Sequence, residues 1–285
     1  MRIAALSDRA VIVDGSIAID IETASRGRFG PAIAGLYPDW DEFIDWASDP
    51  AAWADAERTE FDLRQLGAPS PSPRQVFAIG LNYQEHATEA GLKGAMPDLV
   101  IPPTFTKFAA SLTGPYGELR LPSSRVDWEV ELVVVVGRYC DRVDSRAAWA
   151  YVAGLTVGQD FSERDIQRLG PVPQFSMAKS FPGFGPTGPW LVTPDELEDR
   201  DDLELECVVN GEIRQKSRTS AMIVSVSDLI AQLSAICPLY PGDVIFSGTP
   251  SGVGMGRNPE LYLKPGDEVV SRIRGIGELR QLCVA

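Results

Sequence analysis

Glu129 and Glu131, in the run VDWEVELVVVVG, have the residue type and spacing for chemistry. Residues two apart on a strand share a face, so both carboxylates point one way, with Val133 and Val135 beyond them. Two like charges on a half-buried face repel and are costly to desolvate unless a cation neutralises them; at a frayed strand end they would sit in water instead. Further on, LTVGQDFSERD places Asp160 at the end of a second strand-like run, where a third carboxylate can close a site with the glutamate pair. Three carboxylates without thiolate or imidazole form a hard donor set, suited to Mg²⁺ or Mn²⁺ rather than Zn²⁺. The only histidine, His86, lies in NYQEHATE with Glu89 three residues on. On a helix that spacing puts the carboxylate beside the ring, orienting it as a general base, although a surface turn of helix reads the same way.

The elements that must position these groups are mostly strands. QVFAIG, VEVELVVVVG-like material at 128–137, GLTVGQD, GPWLVT, LELECVVNG, DVIFSG and DEVVSRIRGIG are β-branched runs closed by Gly, Pro or Asp. Helices are few. Asn82 and Glu85 form a capping-box pattern before His86, SRAAWAY and SERDIQRL read as short helices, and SVSDLIAQLSAI has Ser227 as its cap with Leu229, Ile230, Leu233 and Ile236 on one face. Residues 1–70 read as a small unit of short strands followed by a helix in DWDEFIDWASDPAAWADA. The stretch GAPSPSPRQ, with three prolines in nine residues, marks the boundary to a unit spanning 71–285. Strict βαβ alternation is absent, so the expected class is α+β and β-rich.

With 285 residues, 44% hydrophobic and 23% charged, the chain has the composition of a soluble globular protein. Its net charge of −14 argues against nucleic-acid or anionic-membrane partners. Charges at Asp8 and Arg9 interrupt any signal-peptide core, and LVVVV at 132–136 is too short to span a bilayer, so a cytoplasmic protein is expected. Cys140, Cys207, Cys237 and Cys283 form no CxxC pair and read as reduced thiols. SGTPSGVGMGR lacks GK[ST] and has Arg257 where GxGxxG needs its last glycine, DELEDRDDLELE lacks EF-hand order, and no GxSxG occurs.

Seven segments in order, GLNYQEHATE, PPTFTKFAASLTGP, VDWEVELVVVVG, GLTVGQDFSERDIQ, AKSFPGFGPTGPWLVT, PGDVIFSGTPSGVG and YLKPGDEVVSRIRGIGEL, resemble the fumarylacetoacetate hydrolase family from about residue 74 onward. The resemblance implies a mixed β-sandwich roll, usually dimeric, preceded by a small N-terminal α+β domain. It implies one Mg²⁺ or Mn²⁺ per subunit on Glu129, Glu131 and Asp160, a lid dyad of His86 and Glu89, and Lys179 as active-site lysine. Lys107, Arg164, Gln167 and Thr249 fall on positions that line the substrate pocket. Glu163 departs from the family pattern, which often has a small residue there, and SFPGFGPTGP after Lys179 varies locally.

The expected substrate is a small anionic keto acid, a 1,3-diketo acid or acylpyruvate. The metal serves as Lewis acid, Lys107, Lys179 and Arg164 supply positive charge, and His86 takes a proton from water as a C–C bond is hydrolysed. Oxaloacetate decarboxylation is the nearest alternative, with isomerases or hydratases of 2-hydroxydienoic acids further off. A non-catalytic, metal-stabilised binding protein would have no use for the dyad.

Overall fold

The computed structural model describes residues 1–91 and 102–285. Among these, twelve strands form one large sheet. Its main path runs Thr59–Glu60, Ile17–Asp20, Arg9–Asp14, Arg2–Leu6, Gly185–Val192, Val152–Gln159, Val130–Val136, Val244–Phe246, Val76–Ile79, Thr104–Thr106. A five-stranded sheet of Glu212–Arg218, Glu204–Val209, Glu268–Ile273, Gly277–Val284 and Tyr116–Arg120 packs across its centre. Val126–Asp127 and Ser162–Glu163 form a separate two-stranded ladder beside the acidic strand. Most pairs are antiparallel, but Val244–Phe246 runs parallel to Val76–Ile79, and Gly277–Val284 parallel to Tyr116–Arg120. The expected β-rich α+β class is what the chain adopts, with open sheets.

The strand Val130–Val136 is buried along its whole length, which is why it reads as a continuous apolar run. Val130, Leu132, Val134 and Val136 face the core between the sheets and the helix Val226–Ile236; Val133 and Val135 face a second core on the other side. Glu131 belongs to the register of that second face.

Residues 1–70 do not pack apart from the rest. Arg2–Leu6 pairs antiparallel with Gly185–Val192, and Ile3, Ile12 and Phe43 share a core with Val133, Val135 and Phe246. The proline-rich stretch is pinned rather than loose: the Tyr37 hydroxyl donates to the Pro69 carbonyl at 2.6 Å, and Ser70 donates to the Gly242 carbonyl at 2.6 Å.

Two helix caps differ from expectation. Ser225, not Ser227, caps Val226–Ile236 by accepting from the Asp228 N–H, and Ile236 is exposed while Leu229, Ile230 and Leu233 are buried. Asn82 caps nothing; the helix is Gln84–Glu89, and the Asn82 amide instead spans the Val224 and Ser247 backbones. A long-range partner took the side chain that local spacing assigned to a cap. No helix among the described residues is long and apolar enough to cross a membrane.

Candidate active site

Antiparallel pairing of Val130–Val136 with Val152–Gln159 sets Glu131 opposite Gly158, and Asp160 follows directly, its N–H donating to the Glu129 carbonyl at 2.9 Å. Glu129, Glu131 and Asp160 each offer an oxygen within 4.8 Å of the others, and all three are buried. Lys179 bridges two of them, donating at 2.6 Å to Glu129 and 2.7 Å to Asp160. Lys107 donates to Asp160 at 2.6 Å and to the Lys179 and Phe184 carbonyls. Arg164 reaches Glu129 at 2.6 Å and Gln167 at 2.8 Å.

Burial opposes charge on Glu129, Glu131, Lys107 and Lys179, and the balance with their partners differs from one to the next. For Glu129, Lys179 and Arg164 outweigh burial and hold the acid well below its ordinary value. Glu131 goes the other way: burial first, then the Asp160 and Glu129 carboxylates, push it well above the ordinary value, against the Lys179 charge and a 2.8 Å hydrogen bond from the Gly248 N–H. Burial pulls the Lys107 ammonium down despite Asp160, whereas for Lys179 the attraction of Asp160 and Glu129 exceeds the burial penalty.

Asp127 is the buried acid of the site that the sequence reading missed. Fully buried, it accepts from Arg164 Nε at 2.9 Å, from the Gly254 N–H at 2.7 Å and from the Met255 N–H at 2.9 Å. Its signal was present, since Asp127, Glu129 and Glu131 continue one two-residue alternation.

The glycine-rich segment rejected as a phosphate loop serves carboxylates of the chain itself. Gly248 donates to Glu131, Gly252 to Glu89, and Gly254 and Met255 to Asp127. Gly252 has φ +103°, and a Cβ there would lie 2.2 Å from the Arg214 carbonyl oxygen, so the turn excludes a side chain.

His86 Nδ1 lies 3.1 Å from Glu89 Oε2, and Glu89 is fixed by the Gly252 N–H at 3.1 Å. Donation from Nδ1 to the carboxylate leaves Nε2 as the acceptor. His86, Glu129, Arg164, Gln167, Lys179 and Thr249 all line one cavity of about 460 Å³. Thr249 contributes its position more than its hydroxyl, which donates to the Val130 carbonyl and accepts from Gln215. Lys107 is not among the lining residues; fully occupied by Asp160 and two carbonyls, it sits behind the carboxylates.

The donor set fits a divalent cation. Counted formally, Asp127, Glu129, Glu131 and Asp160 are four acids against the three basic groups of Lys107, Arg164 and Lys179, one acid in excess. The surplus falls on Glu131, the member without a cationic partner among the described residues. An all-oxygen triad is the donor set of a hard ion.

Residues 75–284 match the family model described as Fumarylacetoacetate (FAA) hydrolase C-terminal. Oxaloacetate tautomerase Fahd2a, mitochondrial, of Rattus norvegicus is 44% identical over 213 residues, covering 74% of this chain and 66% of that protein. The human protein named oxaloacetate tautomerase FAHD2A, mitochondrial, is likewise 44% identical, with 74% and 66% covered, so the match spans just under two thirds of these relatives. A crystal structure of a Mycobacterium smegmatis protein provisionally called HpcE superposes with TM-score 0.92 at 53% identity, covering 100% of this chain and 99% of that one. Maleylpyruvate hydrolase from Sphingobium sp. SYK-6, in complex with manganese(II) and pyruvate, superposes with TM-score 0.80 at 28% identity, over 100% and 99% of the chains. With three quarters of its length matched in sequence and the whole of it in fold, the chain belongs to the fumarylacetoacetate hydrolase family.

Proposed function

We propose that this protein is a metal-dependent enzyme acting on a small anionic 2-oxo acid, with His86 as the proton-transferring base. The observation that carries the reading is that His86, held through Nδ1 by Glu89, lines the same cavity as Glu129, Lys179 and Arg164. A Mg²⁺ or Mn²⁺ ion on Glu129, Glu131 and Asp160 would supply Lewis-acid polarisation of the substrate oxygens. Lys179 and Arg164 hold the acid's carboxylate end by the donors their ion pairs leave over. Glu89 fixes the imidazole so that Nε2 faces the substrate.

Hydrolysis of an acylpyruvate is the first reading. His86 takes a proton from water as the oxygen adds to the distal carbonyl. The C–C bond then breaks, its electron pair passes to the departing methylene carbon, and that carbon receives the proton. Keto–enol tautomerisation is the second reading, favoured by 44% identity to proteins named oxaloacetate tautomerase. There His86 moves one proton between carbon and oxygen, and no bond between carbons breaks.

Acetylpyruvate and enol-oxaloacetate, each with Mg²⁺ or Mn²⁺, separate the two. Loss of enol absorbance from acetylpyruvate with equimolar pyruvate released is expected for hydrolysis. Enol loss from oxaloacetate without pyruvate marks tautomerisation. Turnover of neither overturns the proposal.

A further inference from the structure

Arg257, the residue that breaks the GxGxxG pattern, is half-buried and makes no ion pair among the described residues; its hydrogen bonds go to carbonyls. Its guanidinium lies 5.9 Å from the centroid of the Trp128 ring. Nη2 donates to the Arg214 carbonyl at 2.8 Å and to the Gly252 carbonyl at 3.1 Å. Trp128 Nε1 donates to that same Gly252 carbonyl at 3.1 Å, so both of its acceptor positions are taken.

The N–H of this glycine serves the dyad. It donates to both Glu89 oxygens, at 3.1 and 3.2 Å, and Glu89 Oε2 lies 3.1 Å from His86 Nδ1. On the same helix, Glu85 accepts from Ser251 Oγ at 3.1 Å. A Cβ on Gly256 would overlap Cγ and Cδ of Glu89, so the carboxylate arm is packed against the turn as well as hydrogen-bonded to it. Gly254 and Met255, further along, serve Asp127 instead. A glycine has wide φ and ψ freedom, so the geometry of Gly252 must come from what grips it.

We infer that Arg257 is a positioning residue for the His86–Glu89 dyad: by clamping the Gly252 carbonyl it sets the N–H that fixes Glu89, and Glu89 sets the tautomer and direction of the imidazole. The inference rests on the reading of His86 as the base. Lysine would keep the charge but replace the planar, rigid set of donors with a single flexible point.

Nuclear magnetic resonance tests this without depending on turnover. The chain has one histidine, so the imidazole ¹⁵N resonances of labelled protein belong to His86. At a pH where the ring is neutral they report which nitrogen carries the proton. The wild type is expected to carry it on Nδ1. Arg257→Ala should move the ring towards the tautomer mixture of Glu89→Ala, and Arg257→Lys should recover part of the wild-type signal. Gly256→Ala, which displaces Glu89 directly, should reproduce the shift. With whichever diagnostic substrate turns over, Arg257→Ala should lower kcat by about 10²-fold, the cost of a misplaced group, with little change in KM. A folded Arg257→Ala that keeps the wild-type tautomer overturns the assignment, even if its Tm falls. So does a wild-type ring protonated on Nε2, or a loss confined to KM. If Arg257→Ala does not fold, the milder Arg257→Gln is read in its place. A protein that turns over neither substrate but shows the tautomer shift would lose the proposed reaction and keep the Arg257 clamp.

Discussion

His86 is the one imidazole in the chain, and its proposed role as base rests on Glu89 and the cavity rather than on its own spacing. His86→Ala should lower kcat by about 10²- to 10⁴-fold, the usual contribution of a general base. Manganese titration of the same variant should still show binding, since none of the three carboxylates touches the ring by hydrogen bond. Turnover near the wild-type rate would remove the dyad from the mechanism. At the surface, the Arg9 guanidinium holds the Asp20 acid at about 2 against an ordinary 3.8, with burial opposing. A depressed acid stabilises the fold above its unfolded value and loses that contribution as pH falls through its folded value. The pair is largely exposed, so Asp20→Asn should cost no more than about 1 kcal/mol near neutral pH. The deficit should shrink as pH falls from about 3.8 towards about 2. Thermal melts at both ends of that window check it, and a deficit that grows on acidification would contradict the pairing.

At the scale of elements, the acidic strand depends on a neighbour that has no side chain. A Cβ on Gly158 would lie 2.4 Å from Val133 Cγ2 and 2.9 Å from Phe246 Cε1, so Gly158→Ala overpacks the face that carries Glu131. Denaturant unfolding should show a loss of about 1 to 3 kcal/mol. Asp127→Ala should cost more, about 3 to 5 kcal/mol, because it removes a partner from the buried Arg164. Unchanged stability in Asp127→Ala would deny its structural role. Much of this was legible beforehand: alternation exposed Glu129 and Glu131, a strand end marked Asp160, and the ordered motifs pointed to His86, Glu89, Lys179, Arg164 and Gln167. What stayed hidden was carried by backbone or by distance. The amides of Gly248, Gly252 and Gly254 leave no side-chain signature. The pairing of Arg2–Leu6 with Gly185–Val192, and the tie from Asn82 to Val224, join residues too far apart in sequence for local patterns to register. Asp127 was the avoidable omission, since the same alternation extended by one step reaches it.

Across the whole molecule, an excess of fourteen negative charges and the proposed anionic substrate are reconciled by gathering Lys107, Lys179, Arg164 and Arg168 in and around one site. The four acids in and behind the cavity wall formally exceed the three buried cations, which favours uptake of a cation. A divalent ion at one hundred times its Kd should add about 2.7 kcal/mol to stability, read as a rise in Tm with Mg²⁺ or Mn²⁺. Glu131→Gln should blunt that rise while relieving the charge surplus of the metal-free protein. The most direct test is anomalous diffraction from crystals grown with Mn²⁺. One strong peak among the oxygens of Glu129, Glu131 and Asp160, at ligand distances of about 2.0 to 2.2 Å, is predicted. No peak there, with those three side chains turned away from one another, would contradict the account.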